Sequence, residues 1–227
     1  MNIPNQNRKN IGIPRWAITL ITVSLLAACS DEQESYPNLI TEFSDIHTDA
    51  QGTFSRMTID NGTCFVIANT NIPKHNPNTT YRAVVGYEAD PLSSTPRAYI
   101  YTLESATVLA DSTAQACHCP INAESVWRSE RYINLHLAYR TQGGDHYWGY
   151  TVESEQSAGE EGRTYGHRHL SIHHSQRQDP LSYSQKHYCS IPLSMIPGYQ
   201  ATDTISITVH TFTGPKTWTF PAKTSNR

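Results

Sequence analysis

From Asp45 onward the chain never holds a 3.6-residue period long enough to bury one face of a helix. It breaks instead into short β-prone runs set apart by turn residues. Arg131–Arg140 is the cleanest example. Ile133, Leu135, Leu137 and Tyr139 fall on one face, while Tyr132, Asn134, His136 and Arg140 fall on the other, the signature of a half-buried strand. Asn61-Gly62 lies between Phe54–Asp60 and Thr63–Asn69 and predicts a hairpin with a type I′ turn, because that turn needs positive φ at both central residues. Tyr81–Tyr87, Tyr99–Leu109, His146–Val152, Arg163–His174, Tyr188–Leu193 and Ile205–Phe212 continue the series. A terminal hairpin is expected at Thr213-Gly214-Pro215, running into Lys216–Phe220. Pro192–Gly198 is the place for one helical turn, and Glu153–Gly162 reads as a solvated loop. Ala110–Ser125 is small, polar and aperiodic, which suits a connection between two blocks of strands. The chain is thus all-β, in two layered domains spanning about 45–120 and 121–227, each a sandwich or a small barrel.

The N-terminal thirty residues read differently. Arg8, Lys9 and Arg15 precede an uncharged apolar stretch, Trp16–Leu26, and small residues follow it; this is the three-part pattern of a secretory signal peptide. The stretch is shorter than the ~20 apolar residues a spanning helix needs. Leu26-Ala27-Ala28-Cys29 resembles the lipobox of bacterial lipoproteins. That resemblance implies cleavage after residue 28, with Cys29 as the acylated first residue of the mature chain and its acyl chains as the membrane anchor. Residues 29–44 then form a tether. Asp31, Glu32 and Glu34 resemble the acidic export tag of some surface-exposed lipoproteins of the Gram-negative outer membrane, although a solvated tether looks the same. An ordinary secreted chain with an incidental Cys is the alternative.

Charge narrows the function. The chain of 227 residues has 17 Lys+Arg against 20 Asp+Glu. Residues 1–28 hold three of the bases and none of the acids, so the exported part is more acidic than the whole. A nucleic-acid partner, which calls for a basic surface, is not expected. There is no Gly-x-Ser-x-Gly elbow, no His-Glu-x-x-His and no phosphate-binding glycine loop, so an enzyme is not the favoured reading. A hydrolase acting on a cell-surface polymer stays as the minor alternative, because the spatial pairing of carboxylates is invisible in sequence.

Three groups of side chains could carry chemistry. His167, His169 and His173 share one face of a strand whose other face holds Leu170 and Ile172. Residues two apart on a strand are ~6.6 Å apart, within reach of a shared transition metal such as Zn²⁺. His136 or His187 could complete such a site, and no carboxylate stands at a telling spacing; a solvated histidine-rich face is the plainer reading. Cys64, Cys117, Cys119 and Cys189 remain after lipidation of Cys29. Cys64 could pair with Cys117 or Cys119, or all could stay free thiols. Cys117 and Cys119 look poorly placed to bond each other, and Cys64 sits between apolar neighbours that suit a core thiol. Trp148 and Tyr150 share a face opposite Tyr147, and Trp127 stands at the domain junction. Such rings either fill a sandwich core or are offered to a sugar or a protein partner.

Several phrases in order resemble the NigD-like family of bacterial lipoproteins. They are Asp60-Asn61-Gly62-Thr63, Arg82–Tyr87, Val126-Trp127 leading into Arg131–Leu135, Ser190-Ile191-Pro192-Leu193, and Ile205–Val209 with the terminal hairpin. The resemblance implies an N-terminal OB-fold barrel followed by a β-sandwich, in an envelope lipoprotein; the reading favoured for its function is a non-enzymatic binding module for an envelope protein or glycan. It supplies no reaction and no catalytic residues. The Cys117-His118-Cys119 run and the histidine strand depart from the pattern.

Overall fold

The structure is a computed structural model that describes residues 38–69, 75–90, 95–112, 117–158 and 164–222. Cys29, the signal segment and the acidic tag lie outside the described residues. Five strands close the first barrel: β1 (Ile40–Thr48), β2 (Phe54–Ile59), β3 (Cys64–Ile67), β4 (Thr80–Asp90) and β5 (Arg97–Ser105). Their order is β1-β2-β3-β5-β4, and β1 seals the ring by pairing antiparallel with β4 along Ile40–His47. Closure leaves no free sheet edge in so small a sheet. Alternation along each strand sends Ile46, Met57, Ala83, Val85, Tyr87 and Ala98 inward, where Phe54, Ile59, Ile67 and Ile100 complete the core.

The Asn61-Gly62 hairpin forms with a different turn from the one expected. Gly62 takes φ 90°, whereas Asn61 keeps negative φ. Gly62 N–H donates to the Ile59 carbonyl, Ile59 N–H to the Thr63 carbonyl, and Asn61 Oδ1 accepts from Thr63 N–H. This three-residue loop needs positive φ only at its glycine. The longer loop also releases the Asp60 side chain toward the second domain.

Eight strands build that second domain. One sheet runs β6-β11-β8-β7, from β6 (Thr107–Val108), β11 (Tyr183–Pro192), β8 (Tyr132–Thr141) and β7 (Asn122–Arg128). The other runs β13-β12-β10-β9, from β13 (Gly214–Phe220), β12 (Thr204–Thr211), β10 (Thr164–Ser175) and β9 (Tyr147–Ala158). Ile133, Leu135, Leu137, Cys189 and Ile191 of the first sheet meet Tyr150, Leu170, Ile172, Ile205, Ile207 and Val209 of the second in one buried cluster. Tyr150 is fully buried and Trp148 packs on that cluster, so these two rings are core. A single 3-10 turn, Leu193–Met195, stands where a helical turn was expected.

Four stretches differ from their sequence reading. β1 begins at Ile40, inside the stretch read as tether; polar residues on both its sides, with Ser44 and Thr48 buried beside Ile46, hide the alternation. Tyr99–Leu109, read as one strand, splits: its end is β6, only two residues long, which pairs parallel with β11 of the sandwich. β7 begins inside the stretch read as a connection; it exposes half its side chains and so carries no clear period. β9 runs on to Ala158, because its solvent-facing glutamates pair in register with β10 and do not form a loop.

Barrel and sandwich fall within one unit, Asn38–Arg227, and a polar cluster joins them. Arg82 on β4 has a side chain only 1% exposed. Its guanidinium donates to Asp45 Oδ1 at 3.1 Å, Asn134 Oδ1 at 2.9 Å and Ser190 Oγ at 3.0 Å, and pairs with Asp60 at 2.7 Å. Tyr132 lies under it with its ring centroid 3.8 Å away, and the Tyr132 hydroxyl donates to Asp45. Arg131 also pairs with Asp45, and Asn134 Nδ2 donates to Asp60. A buried cation requires such a full set of partners, since any oxygen it lacked would cost several kcal/mol.

Candidate functional site

Beside this cluster the barrel and sandwich leave a groove of about 660 Å³. Phe43 of β1, Trp127 of β7, and Tyr188 and His136 of the paired strands β11 and β8 supply its aromatic surface. Glu42, Asp60, Asn61, Ser125 and Arg128 add polar groups. The rings hold one another. Phe43 meets Trp127 edge-on at 5.3 Å and Tyr188 at 5.8 Å, while Tyr188 and His136 stack at 4.6 Å. Trp127 nevertheless keeps 36% of its surface exposed, and the buried Nε2 of His136 has no hydrogen-bond partner in the protein. Glu42 accepts from the Tyr87 hydroxyl, whose pKa is pushed up to about 12 by burial and by that carboxylate. Concave shape, aromatic floor and a few convergent polar groups are the ordinary make-up of a binding site. Trp127 was singled out from sequence. Phe43 was hidden in the supposed tether, Tyr188 gave no signal beyond alternation, and His136 was singled out only as a possible metal ligand.

The three histidines proposed as ligands do not stay together. Alternation does place His167, His169 and His173 on the outer face of β10, with Leu170 and Ile172 in the core. Only His167 and His169 approach each other, at 3.8 Å between ring centroids. His173 is covered: its Nε2 bonds Thr151 Oγ1 at 2.8 Å and its ring lies 4.7 Å from His118, which in turn lies 4.0 Å from His210. Burial, then the neighbouring His118 and His210, hold the His173 pKa below the usual imidazole value. Glu155 replaces it, joining His167 and His169 in a group whose ligand atoms all lie within 4.8 Å of one another. The β9–β10 register, which sets Glu155 opposite His167, was the missing signal; reading β9 as a loop concealed it. Neither His136 nor His187 completes the site. His136 belongs to the groove, and His187 stacks on Trp148 at 4.2 Å.

His187 is part of an interior row at one end of the sandwich. His174 Nδ1 donates to the Cys119 carbonyl, so its Nε2 accepts from His146 Nδ1 at 2.7 Å, and His146 Nε2 meets Asp179 at 2.9 Å. Thr141 donates to Asp179, and that bond with the His146 contact pulls the carboxyl pKa down to about 2. Burial lowers His174 and His187 to about 4, so both are neutral at pH 7.

The cysteines also depart from expectation. Cys64 is exposed on the barrel and is not a core thiol, while Cys189 is the buried one, its pKa raised by desolvation. Backbone bonds of Cys117 and Cys119 with His174 dock the short run as a parallel bridge on β10, with the two sulfurs 3.4 Å apart. Their shared hydrogen bond lowers the Cys117 pKa, while burial raises that of Cys119. All four are free thiols in the structure.

The comparisons agree on architecture. Residues 43–105 match the model of the NigD-like N-terminal OB domain, and residues 105–222 that of the NigD-like C-terminal beta sandwich domain. No curated protein matches the chain in sequence. Three similar solved structures share the whole fold. A NigD-like immunity protein from Bacteroides caccae has 20% identity and a TM-score of 0.59, with 83% of this chain and 99% of that one aligned. A candidate toxin-related protein from Parabacteroides distasonis has 14% identity and a TM-score of 0.62, over 81% and 92%. A candidate lipoprotein from Bacteroides fragilis has 13% identity and a TM-score of 0.54, over 84% and 100%.

Proposed function

Because this chain belongs to the NigD-like family, matched along both its OB and its sandwich domain, we infer that it works as a non-enzymatic binding module of the cell envelope. Its partner, a protein segment or a glycan, lies in the groove between the two domains. One observation carries this reading. The groove keeps an exposed indole, Trp127, next to a buried imidazole nitrogen, His136 Nε2, that no protein group satisfies. A fold that surrounds Arg82 with oxygens a few residues away leaves this nitrogen for something else. Aromatic surface with adjacent hydrogen-bonding groups suits either partner class. The partner and the groove are supported by no more than this chemistry and the names of relatives, one called an immunity protein and one a candidate lipoprotein.

The anchor belongs to the same proposal: Cys29 is lipidated and holds the module on the outer membrane, where the acidic tag directs it to the surface. No helix among the described residues is long and apolar enough to cross a membrane. Replacing Cys29 by Ser should move the protein from the membrane pellet to the soluble fraction; unchanged pelleting would refute lipid anchoring. For the groove, a photo-crosslinking residue is placed at Ser125 in intact cells, with a second at Thr217 on the far sheet as control. Adducts should form at Ser125 only and should fade when Trp127→Ala is added. Equal adducts at both positions, or none, would remove the groove from consideration.

A further inference from the structure

The outer face of the β13-β12-β10-β9 sheet looks away from barrel, groove and core, and there the ring pair of His167 and His169 lies open to Glu155. We propose that Glu155, His167 and His169 form a binding site for a divalent late transition-metal ion such as Zn²⁺, independent of the groove. The two rings are 3.8 Å apart, yet share no hydrogen bond. His169 Nε2 is a buried atom with no hydrogen-bond partner, and its nearest charged oxygen, Glu155 Oε2, stands at 3.7 Å, too far for a hydrogen bond. Donor atoms on a tetrahedral Zn²⁺ ion are roughly 3.3 Å apart, as follows from ~2.0–2.1 Å metal–ligand bonds. The three donors already lie within 4.8 Å of one another, so modest side-chain rotation brings them onto one ion.

The rest of the face supports that use. His167 bonds Ser206 Oγ at 2.8 Å, and Ser206 in turn bonds Thr219 Oγ1 at 2.9 Å, a hydroxyl chain across three strands that fixes the ring as an outer-shell partner does. Two imidazoles and one carboxylate select zinc, copper or nickel over calcium and magnesium, which want oxygen ligands. A depression of about 340 Å³ lined by Glu153, Glu155, His169 and Thr208 opens beside the site. Three protein ligands leave a fourth position, and that depression has room for water or an anionic ligand there.

Two other donor groups compete for the same ion in any titration. These are the thiols of Cys117 and Cys119, 3.4 Å apart, and the rings of His118, His173 and His210. The test is therefore calorimetric titration of the tag-free full chain with Zn²⁺ under reducing conditions, run beside four variants. One equivalent should bind to the wild type and not to His167→Ala/His169→Ala, while Glu155→Gln weakens it about 10- to 100-fold. Cys117→Ser/Cys119→Ser and His118→Ala should bind as the wild type does, and Mg²⁺ should give no heat. Unchanged circular dichroism of the double variant ties its loss to the ligands and not to unfolding. Absence of binding by the wild type, retention by the double variant, or loss in the cysteine or His118 variant in its place would overturn the proposal.

Discussion

The sandwich has two outward faces, and they treat polar side chains in opposite ways. The face of β6-β11-β8-β7 that meets the barrel presents Tyr132, Asn134 and Ser190, and these join Asp45 and Asp60 around Arg82. The face of β13-β12-β10-β9 presents imidazoles, hydroxyls and glutamates, and leaves His169 Nε2 without a partner. Both faces are polar and alternate with the same apolar core, so burial statistics alone would not separate them. Pairing does. Around Arg82, where the buried cation is fully partnered, the polar groups are joinery between domains; where a buried imidazole nitrogen stands unpaired, at His136 beside that seam and at His169 on the other face, they are material for a ligand.

Breaking the joinery should have the largest effect. Arg82→Ala strands Asp45, Asp60 and Asn134 in a buried seam and should cost about 3–5 kcal/mol. Chemical denaturation would then show separate barrel and sandwich transitions where the wild type shows one. A single, unshifted transition would mean that the seam carries no coupling.

Acid should act next, on the interior between the two faces. His174, with a folded pKa of about 4 against an ordinary value of 6.5, is neutral when folded and binds a proton more readily when unfolded. Stability therefore rises with pH across the window from about 4 to 6.5 and is lost as pH falls through it, by about 3 kcal/mol for this ring alone. His187 shifts in the same direction. His174→Phe should flatten the melting-temperature profile over pH 4–6.5; an unchanged slope would show that the buried imidazoles do not set it.

Trp127→Ala, at the rim of the joined face, should cost only about 1–2 kcal/mol, since a third of the ring is already in water and its main lost contact is the edge-on one to Phe43. It should abolish crosslinking at the groove out of proportion to that cost. The smallest effect belongs to the open face. Without metal, His167→Ala/His169→Ala should change stability by no more than about 0.5 kcal/mol, as for surface positions generally. A large loss in melting temperature would mean that this face is structural too, and the contrast between faces would fail.

The sequence made the strands legible where apolar and polar residues alternate. β8 does so from Ile133 to Arg140, and its core face was assigned correctly, but the opposite face, read as solvated, is covered by the barrel, where Asn134 is buried. Periodicity fails where both sides of a strand carry polar groups, as with β1 and the start of β7. The candidate sites were legible only in halves. His167 and His169 are neighbours on one strand, but Glu155 reaches them through cross-strand register, which depends on where the hairpin turns. His173 shares their face and is lost to them because the Cys117–Cys119 run folds over it, a long-range contact with no local trace. The same contact leaves Cys117 and Cys119 on one side of a strand-like run with their sulfurs 3.4 Å apart, closer than their spacing suggested.

The seam also imposes an order in time. The barrel leaves the ribosome first, with Arg82 already in β4, but Ser190, one of the oxygens that receives its guanidinium, follows 108 residues later. Until β8 and β11 have arrived, the barrel must hold that cation in water, and its outer wall stays open. A chain truncated after Ser105 would therefore carry a complete ring of strands and still lack the surface that closes it.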